Sequence, residues 1–371
     1  MTGSSAPARD VESVLYVTDS KKLSGGSRQM LNNAKAMAAL GLRVHLMVAP
    51  DTPLAAACEE LPAEVVFFDR FREYFAAGKA LKRIVNERRI DVVHTFHNRA
   101  YKMGLTARLL GGRFRFFINR GVISRPNELF FLWTALSDGA VANSMQCAEV
   151  LRKHHVFKSR LNVVYNAYVR PSSAPTRTRT DDRVRFIYVG NHAPIKGYDV
   201  FAQAAARLCE TAKDVDVEFT AVGFEEIAAA RFDLDIPDHV GSRSRLTGDL
   251  PHDRVLQELC DADVLVVSSR KESLPNVLLE GFDCGLPVVC TDVGGLPEAV
   301  KHGFNGFLCP SEDADCLAEH MRLLAEDPDR RAAMGAAGRK LVETQLTLEA
   351  KGRRLLRVYQ GERQYEPLAL D

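Results

Sequence analysis

Several absences narrow the reading before any motif is considered. No stretch approaches eighteen consecutive apolar residues, so no membrane-spanning helix is expected. The longest apolar run, residues 129–136, ends before Asp138 and fits a core or interfacial helix. Residues 1–13 are polar or small and lack the apolar centre of a secretory signal, so they read as an unstructured tail. The eight cysteines form no C-x-x-C pair and no metal-finger spacing. Isolated thiols of this kind fit a reducing compartment, and most of them read as small core residues. Neither G-x-G-x-x-G nor the Walker pattern occurs, which argues against dinucleotide and ATP sites. No repeat of solenoid period is found, and no motif points to nucleic acid.

What is present is a globular composition. Of 371 residues, 46% are hydrophobic and 26% charged, and this length suits two domains. The net charge of +1 conceals an asymmetry. Residues 1–170 hold 25 Lys and Arg against 14 Asp and Glu, a net +11, and residues 171–371 hold 24 against 34, a net −10. Such a split points to an anionic partner for the first half.

The chain opens with an apolar strand at residues 14–17, a polar loop ending in Ser24-Gly25-Gly26-Ser27, a helix up to Gly41 and a second strand at 43–48. This order begins a doubly wound α/β domain. Gly25 and Gly26 are compatible with a tight turn or with a close ligand approach. Residues 71–89 have helical periodicity and carry Arg72, Lys79, Lys82, Arg83, Arg88 and Arg89. They form either a solvated face or a basic surface for an anionic membrane or acceptor. A strand at 91–95 runs into His94-Thr95-Phe96-His97, at a strand end where sites form. Further strands precede Arg120, Asn143 and Asn166. Residues 171–183 are polar with prolines and read as a linker.

The most informative stretch is SRKESLPNVLLEGFDCGLPVVCTDVGGLPEAV, residues 269–300. Glu272 and Glu280 lie on either side of Ser273-Leu274-Pro275-Asn276, with Asn276 a candidate N-cap for a helix through Val277. Apolar runs at 264–268 and 287–291 read as parallel strands, which places this stretch at a strand's carboxyl end. Helix N-termini suit phosphate. Two acids around such an end match a nucleotide-sugar, with its ribose, diphosphate and sugar. Asp261-Ala262-Asp263 spells D-x-D between a helix and a strand, and reads as structural, so no metal site is expected.

Glu272, Glu280, Cys284-Gly285-Leu286-Pro287 and Asp292-Val293-Gly294-Gly295 together resemble the donor motif of the family-four retaining glycosyltransferases. The resemblance implies the GT-B fold, two Rossmann-like doubly wound α/β domains facing across a cleft. The implied domains are 1–170 for the acceptor, with a final helix 347–365 packed back on it, and 184–346 for the nucleotide-sugar. It implies that Gly25 and Gly26, Gly190 and Asn191, and residues Leu274, Pro275, Asn276 and Val277 border the donor. It implies that Lys196 neutralises the diphosphate, that Glu280 binds ribose and that Glu272 binds the sugar. The family has an arginine where this chain has Asn191, so either Arg270 or Lys271 substitutes or phosphate stabilisation is weaker. The family's histidine falls at Phe96 here. His97 follows it and becomes the candidate near the transferred sugar, and His94 reads as structural. Arg120, Arg125 and Asn166 are acceptor candidates.

The implied activity is metal-independent transfer of a hexose from a UDP- or GDP-linked donor, with no further cofactor, to a bacterial envelope glycan or glycolipid. A lipopolysaccharide core or a carrier-linked oligosaccharide is the type of acceptor expected. The location implied is cytoplasmic, with peripheral contact at the inner face of an anionic membrane. The rival readings are a GT-B sugar-nucleotide epimerase and a non-catalytic nucleotide-sugar-binding protein.

Overall fold

The computed structural model describes residues 10–126, 130–171, 173–224 and 241–370. The tail of residues 1–9 and Leu129, at the start of the apolar run, lie outside these. The chain divides into two compact units. Unit 1 comprises residues 1–167 and 346–367, and unit 2 comprises 168–345 and 368–371.

Unit 1 is built on a parallel sheet of β1 (Ser13–Thr18), β2 (Arg43–Val48), β3 (Glu64–Phe67), β4 (Val92–Phe96), β5 (Arg115–Arg120), β6 (Gly139–Ala142) and β7 (Leu161–Val163). The spatial order is β3-β2-β1-β4-β5-β6-β7. β1 is buried along its whole length, SVLYVT, and so is β4, VVHTF. Strands covered on both faces tolerate such unbroken apolar runs. Helices α1 (Gly25–Ala39), α2 (Pro53–Glu59), α3 (Tyr74–Arg88), α4 (Asn98–Leu109), α5 (Phe130–Ala135) and α6 (Met145–Lys153) connect them.

Unit 2 repeats the plan. Its strands are β8 (Val184–Val189), β9 (Val217–Val222), β10 (Ser244–Leu246), β11 (Val264–Val267), β12 (Val288–Thr291) and β13 (Gly306–Cys309), in the order β10-β9-β8-β11-β12-β13, all parallel. Its helices are α7 (Tyr198–Thr211), α8 (His252–Cys260), α9 (Asn276–Asp283), α10 (Ala314–Glu326) and α11 (Pro328–Gln345). The core gathers Phe186, Tyr188, Phe201 and Phe219, with Phe224 stacked on Tyr198 at 3.8 Å. α11 lies close on α9 because Gly338 leaves room for the Phe282 ring, which a Cβ there would strike.

The last helix, α12 (Leu348–Gln360), belongs to unit 1. Gly352 lets it approach Ala36 and Leu40 at α1. Its Tyr359 hydroxyl bonds His94 Nδ1 at 2.7 Å and Tyr16 at 3.1 Å in the middle of the core. Lys351 is buried beside it and donates to Gln29 Oε1 at 2.7 Å. Gln29 in turn holds the backbone of Ala167, the last residue before the chain enters unit 2. Burial lowers the Lys351 pKa to about 7. Burial, and then the charge of Lys351, lower that of His94 to about 3.

Candidate active site

In both sheets the strand order reverses at one place, between β1 and β4 and between β8 and β11. Open α/β sheets bind ligands outside the carboxyl ends of the strands at such points. The sequence-derived candidates fall largely there.

In unit 2, β8 runs into Gly190-Asn191 and a loop ending at Lys196-Gly197. Gly197 has φ +68°, and a Cβ on it would collide with Ser268 O. Only glycine permits this close approach. Ser268 Oγ donates to Gly197 O at 2.6 Å, and Arg270 N donates to Ile195 O at 2.9 Å. The loop is thereby sewn to the end of β11. This places Lys196 Nζ 2.5 Å from Glu272 Oε2, although the two are 76 positions apart. Glu272 Oε1 also accepts from Ser273 N at 3.1 Å, and its carbonyl accepts from Gly295 N at 3.2 Å.

α9 begins at Asn276 with Pro275 in the cap position. The expectation of Asn276 as N-cap is corrected by one residue. Pro275 takes the extended conformation, φ −72° and ψ 143°, which a cap residue requires, and Asn276 is already helical. Proline has no side-chain oxygen to cap with. Glu280, one turn in, is buried, and His252 Nε2 at the start of α8 lies 3.7 Å from its Oε1. Nothing in the sequence around residue 252 singles this histidine out, because only the fold brings α8 beside α9.

One side reading changes and another keeps its structural sense. Arg270 is not available to replace the arginine missing at Asn191. Its guanidinium donates to both carboxylate oxygens of Asp199, to Glu312 at 2.8 Å and to Pro194 O at 2.6 Å. Those bonds, Asp199 first, hold its pKa further above the ordinary arginine value. Lys271 is exposed beside the site. The D-x-D carboxylates are occupied by the segment joining the units. Asp261 accepts from Thr178 N and Oγ1, and Asp263 pairs with Arg177 at 2.8 Å and accepts from Arg185 N at 2.9 Å.

In unit 1, Ser24 caps α1 through Ser27 N. Gly25 and Gly26 form the first turn of that helix. A Cβ on Gly26 would stand 3.8 Å from His97 Nε2, so the two candidates are neighbours at the β1/β4 reversal. His97 Nδ1 bonds Thr18 Oγ1 at 2.8 Å, and His97 has φ +71°, which turns its ring toward α1. Desolvation at the packed strand ends lowers its pKa, against the opposing pull of Asp19. His94 lies in the core, bonded to the Tyr359 hydroxyl. Arg120 is buried at the end of β5, donates to Ser124 O at 2.7 Å and lies over the Phe130 ring. Arg125 is exposed and Asn166 is buried.

The basic surface is smaller than the sequence suggests. Arg88 pairs with Glu64, Arg83 with Glu87, and Lys82 donates to Leu110 O. Lys79 instead covers the exposed Phe75 ring at 4.5 Å. Lys102 covers exposed Tyr74 at 4.7 Å, and on α5 Phe131 and Leu132 are also exposed.

Residues 23–168 match Glycosyltransferase Family 4, and residues 171–341 match Glycosyl transferases group 1. Together the two matches cover most of the chain, and its architecture is that of the GT-B glycosyltransferases. Among the sequence relatives is a GDP-mannose-dependent monoacylated alpha-(1-6)-phosphatidylinositol monomannoside mannosyltransferase of Corynebacterium glutamicum. It is 32% identical over 176 residues, 46% of this chain and 45% of that protein. A D-inositol 3-phosphate glycosyltransferase of Thermobifida fusca is 27% identical over 284 residues, 71% of this chain and 63% of that protein. These matches thus span about half to three fifths of the relatives' own lengths. A solved glycosyltransferase of Rickettsia africae superposes with a TM-score of 0.80 at 16% identity, covering 95% of this chain and 98% of the other.

Proposed function

We propose that the chain is a retaining glycosyltransferase that moves a hexose from a UDP- or GDP-linked donor to an acidic, lipid-linked acceptor of a bacterial envelope glycan. The observation that carries the donor half is the grouping of Lys196, Glu272 and Glu280 around the α9 N-terminus, at the strand-order reversal of unit 2. Charge builds on the departing nucleoside diphosphate as the glycosidic bond breaks, and donors fixed there in advance lower the barrier most. Lys196, residues Leu274 to Val277 leading into α9, and the Gly25–Gly26 turn of α1 are the residues assigned to this role. Gly190 and Asn191 border the same ligand. Glu280 accepts from the ribose hydroxyls and Glu272 from the sugar hydroxyls.

Glu272 is held by an ammonium and a backbone N–H, which suits a hydrogen-bond acceptor better than a nucleophile. Retention then proceeds by front-face attack, with the acceptor hydroxyl passing its proton to the departing phosphate. His97, its pKa lowered, meets the transferred sugar as a neutral imidazole near neutral pH. Arg120, Arg125 and Asn166 belong to acceptor binding.

The acceptor half rests on unit 1. The aromatic and basic surface of Tyr74, Phe75, Lys79, Lys102, Phe131 and Leu132 suits a lipid headgroup boundary. No helix among the described residues is long and apolar enough to cross a membrane. We place the enzyme peripherally at a cytoplasmic leaflet, in keeping with the phosphatidylinositol-linked substrate in the name of the C. glutamicum relative. The test is a thermal-shift screen of UDP- and GDP-sugars, followed by an assay for nucleoside diphosphate released when glycolipid acceptors are added. Donor binding without acceptor-dependent release would leave a binding protein. A changed nucleotide-sugar without acceptor would indicate an epimerase.

A further inference from the structure

Away from the donor site, unit 2 brings together Cys309, Cys316 and His320. Cys309 ends β13 and is fully buried. Cys316 and His320 are four residues apart on α10, and therefore share a face. Their ligand atoms lie within 4.8 Å of one another, and His320 Nδ1 stands 3.5 Å from each sulfur. A tetrahedral zinc with Zn–S of about 2.3 Å and Zn–N of about 2.0–2.1 Å requires S···N edges of about 3.6 Å. The arrangement has that spacing before any ion is added.

We propose that Cys309, Cys316 and His320 bind one thiophilic divalent cation of the zinc class. Two sulfurs and an imidazole select zinc over magnesium or calcium, which prefer oxygen. Cys316 and His320 are partly exposed, which leaves an entry path and room for a water as fourth ligand. The ring of His320 is already positioned by Phe307, with centroids 4.4 Å apart, and by His302 at 5.3 Å. Its Nδ1 now lies 2.9 Å from Cys316 O. On binding, the metal replaces the proton that Nδ1 donates to that carbonyl, this hydrogen bond is given up, and the ring proton resides on Nε2. Both thiols lose their protons, so each ion bound releases two protons and affinity rises with pH.

The ion would close the turn between β13 and α10. That turn contains Glu312, a non-glycine residue at φ +67°, which pairs with Arg270. Asp313 caps α10 on Cys316 N at 2.9 Å. The metal therefore staples a strained turn whose outer residue braces the loop carrying Lys196.

The experiment is an anaerobic titration of the reduced, chelator-stripped full chain with Co2+, followed in the near ultraviolet for thiolate-to-metal charge transfer. One Co2+ per chain is expected, displaced by Zn2+. The band should be lost in Cys316→Ser and weakened at least about tenfold in His320→Gln. It should persist in Cys260→Ser, which removes one of the two other neighbouring thiols, Cys260 and Cys284, whose sulfurs are 3.0 Å apart. Zn2+ should raise the melting temperature of the wild type and of neither site variant. Nucleotide-sugar binding, measured separately by thermal shift, reports that the variants are folded and is independent of the metal result. Absence of the band, or its full retention in both Cys316→Ser and His320→Gln, overturns the site.

Discussion

A lysine ammonium 2.5 Å from a glutamate can serve two anions in turn, and this bears on Lys196. A donor diphosphate bound there as proposed would share the ammonium with Glu272, whose second oxygen is fixed by Ser273 N. Lys196→Ala should lower turnover by about two to three decades, the effect of removing one donor from developing charge. Nucleoside diphosphate release at saturating donor measures it, and a normal rate would move the phosphate cation elsewhere. Glu280→Ala should weaken donor binding about ten- to a hundredfold, since hydrogen bonds to charged groups contribute roughly 1.5–3 kcal/mol. Titration calorimetry with the nucleotide-sugar decides this, and unchanged affinity in a folded variant refutes the ribose role. The two acids were legible because they sit in one short stretch of sequence. The grip of Glu272 on Lys196 was not, because it depends on Gly197 allowing the loop to press against Ser268. His252 beside Glu280 and Asp199 around Arg270 are likewise products of tertiary packing alone.

Elements differ in how plainly the sequence announces them. β11 and β12 are apolar runs buried on both faces, and such runs are hard to mistake. β3 and β10, by contrast, are edge strands in which no residue is fully buried, and β10, Ser-Arg-Leu, carries no apolar signature. α3 starts at Tyr74 rather than at 71, because Phe71 is buried ahead of the helix while Glu73 takes the cap. The final helix was legible by its period, yet its buried Lys351 and the Tyr359–His94 bond were not. These two bases give unit 1 a defined pH response. Between about pH 3 and 6.5 for His94, and between about 7 and 10.5 for Lys351, the unfolded chain binds a proton that the folded chain does not. Stability should therefore rise with pH through both windows and fall on acidification. Lys351→Met should flatten the upper window and narrow the lower one, because the Lys351 charge contributes to the His94 shift. Melting temperature against pH for the two proteins checks this, and parallel curves would refute it.

At the scale of the whole molecule, the fold class was readable because both halves alternate strand and helix in the doubly wound manner. The charge split was readable too, but not how much of it is consumed internally, as with Arg88 on Glu64. What remains on unit 1 is fewer cations, set on exposed aromatic rings. Binding to vesicles should therefore combine a salt-sensitive part with an apolar part. Each lysine or arginine near an anionic surface contributes about 1 kcal/mol. Co-sedimentation should be strong with anionic vesicles and several-fold weaker with neutral ones, and raised salt should reduce it. Phe75→Ser with Lys79→Ser should weaken it further. Equal, salt-insensitive behaviour with both lipids would leave a soluble acceptor.

The return of α12 to the first unit also has a consequence during synthesis. A ribosome that has released residues 1–167 has delivered every strand of the first sheet, but not the helix that covers β1 and β4. Tyr16 and His94 then wait through the production of nearly two hundred further residues before Tyr359 emerges. The first half should remain open to protease in arrested nascent chains ending near residue 345, and become resistant once the tunnel has cleared residue 360. The order of translation would thus make the amino-terminal half the last to mature.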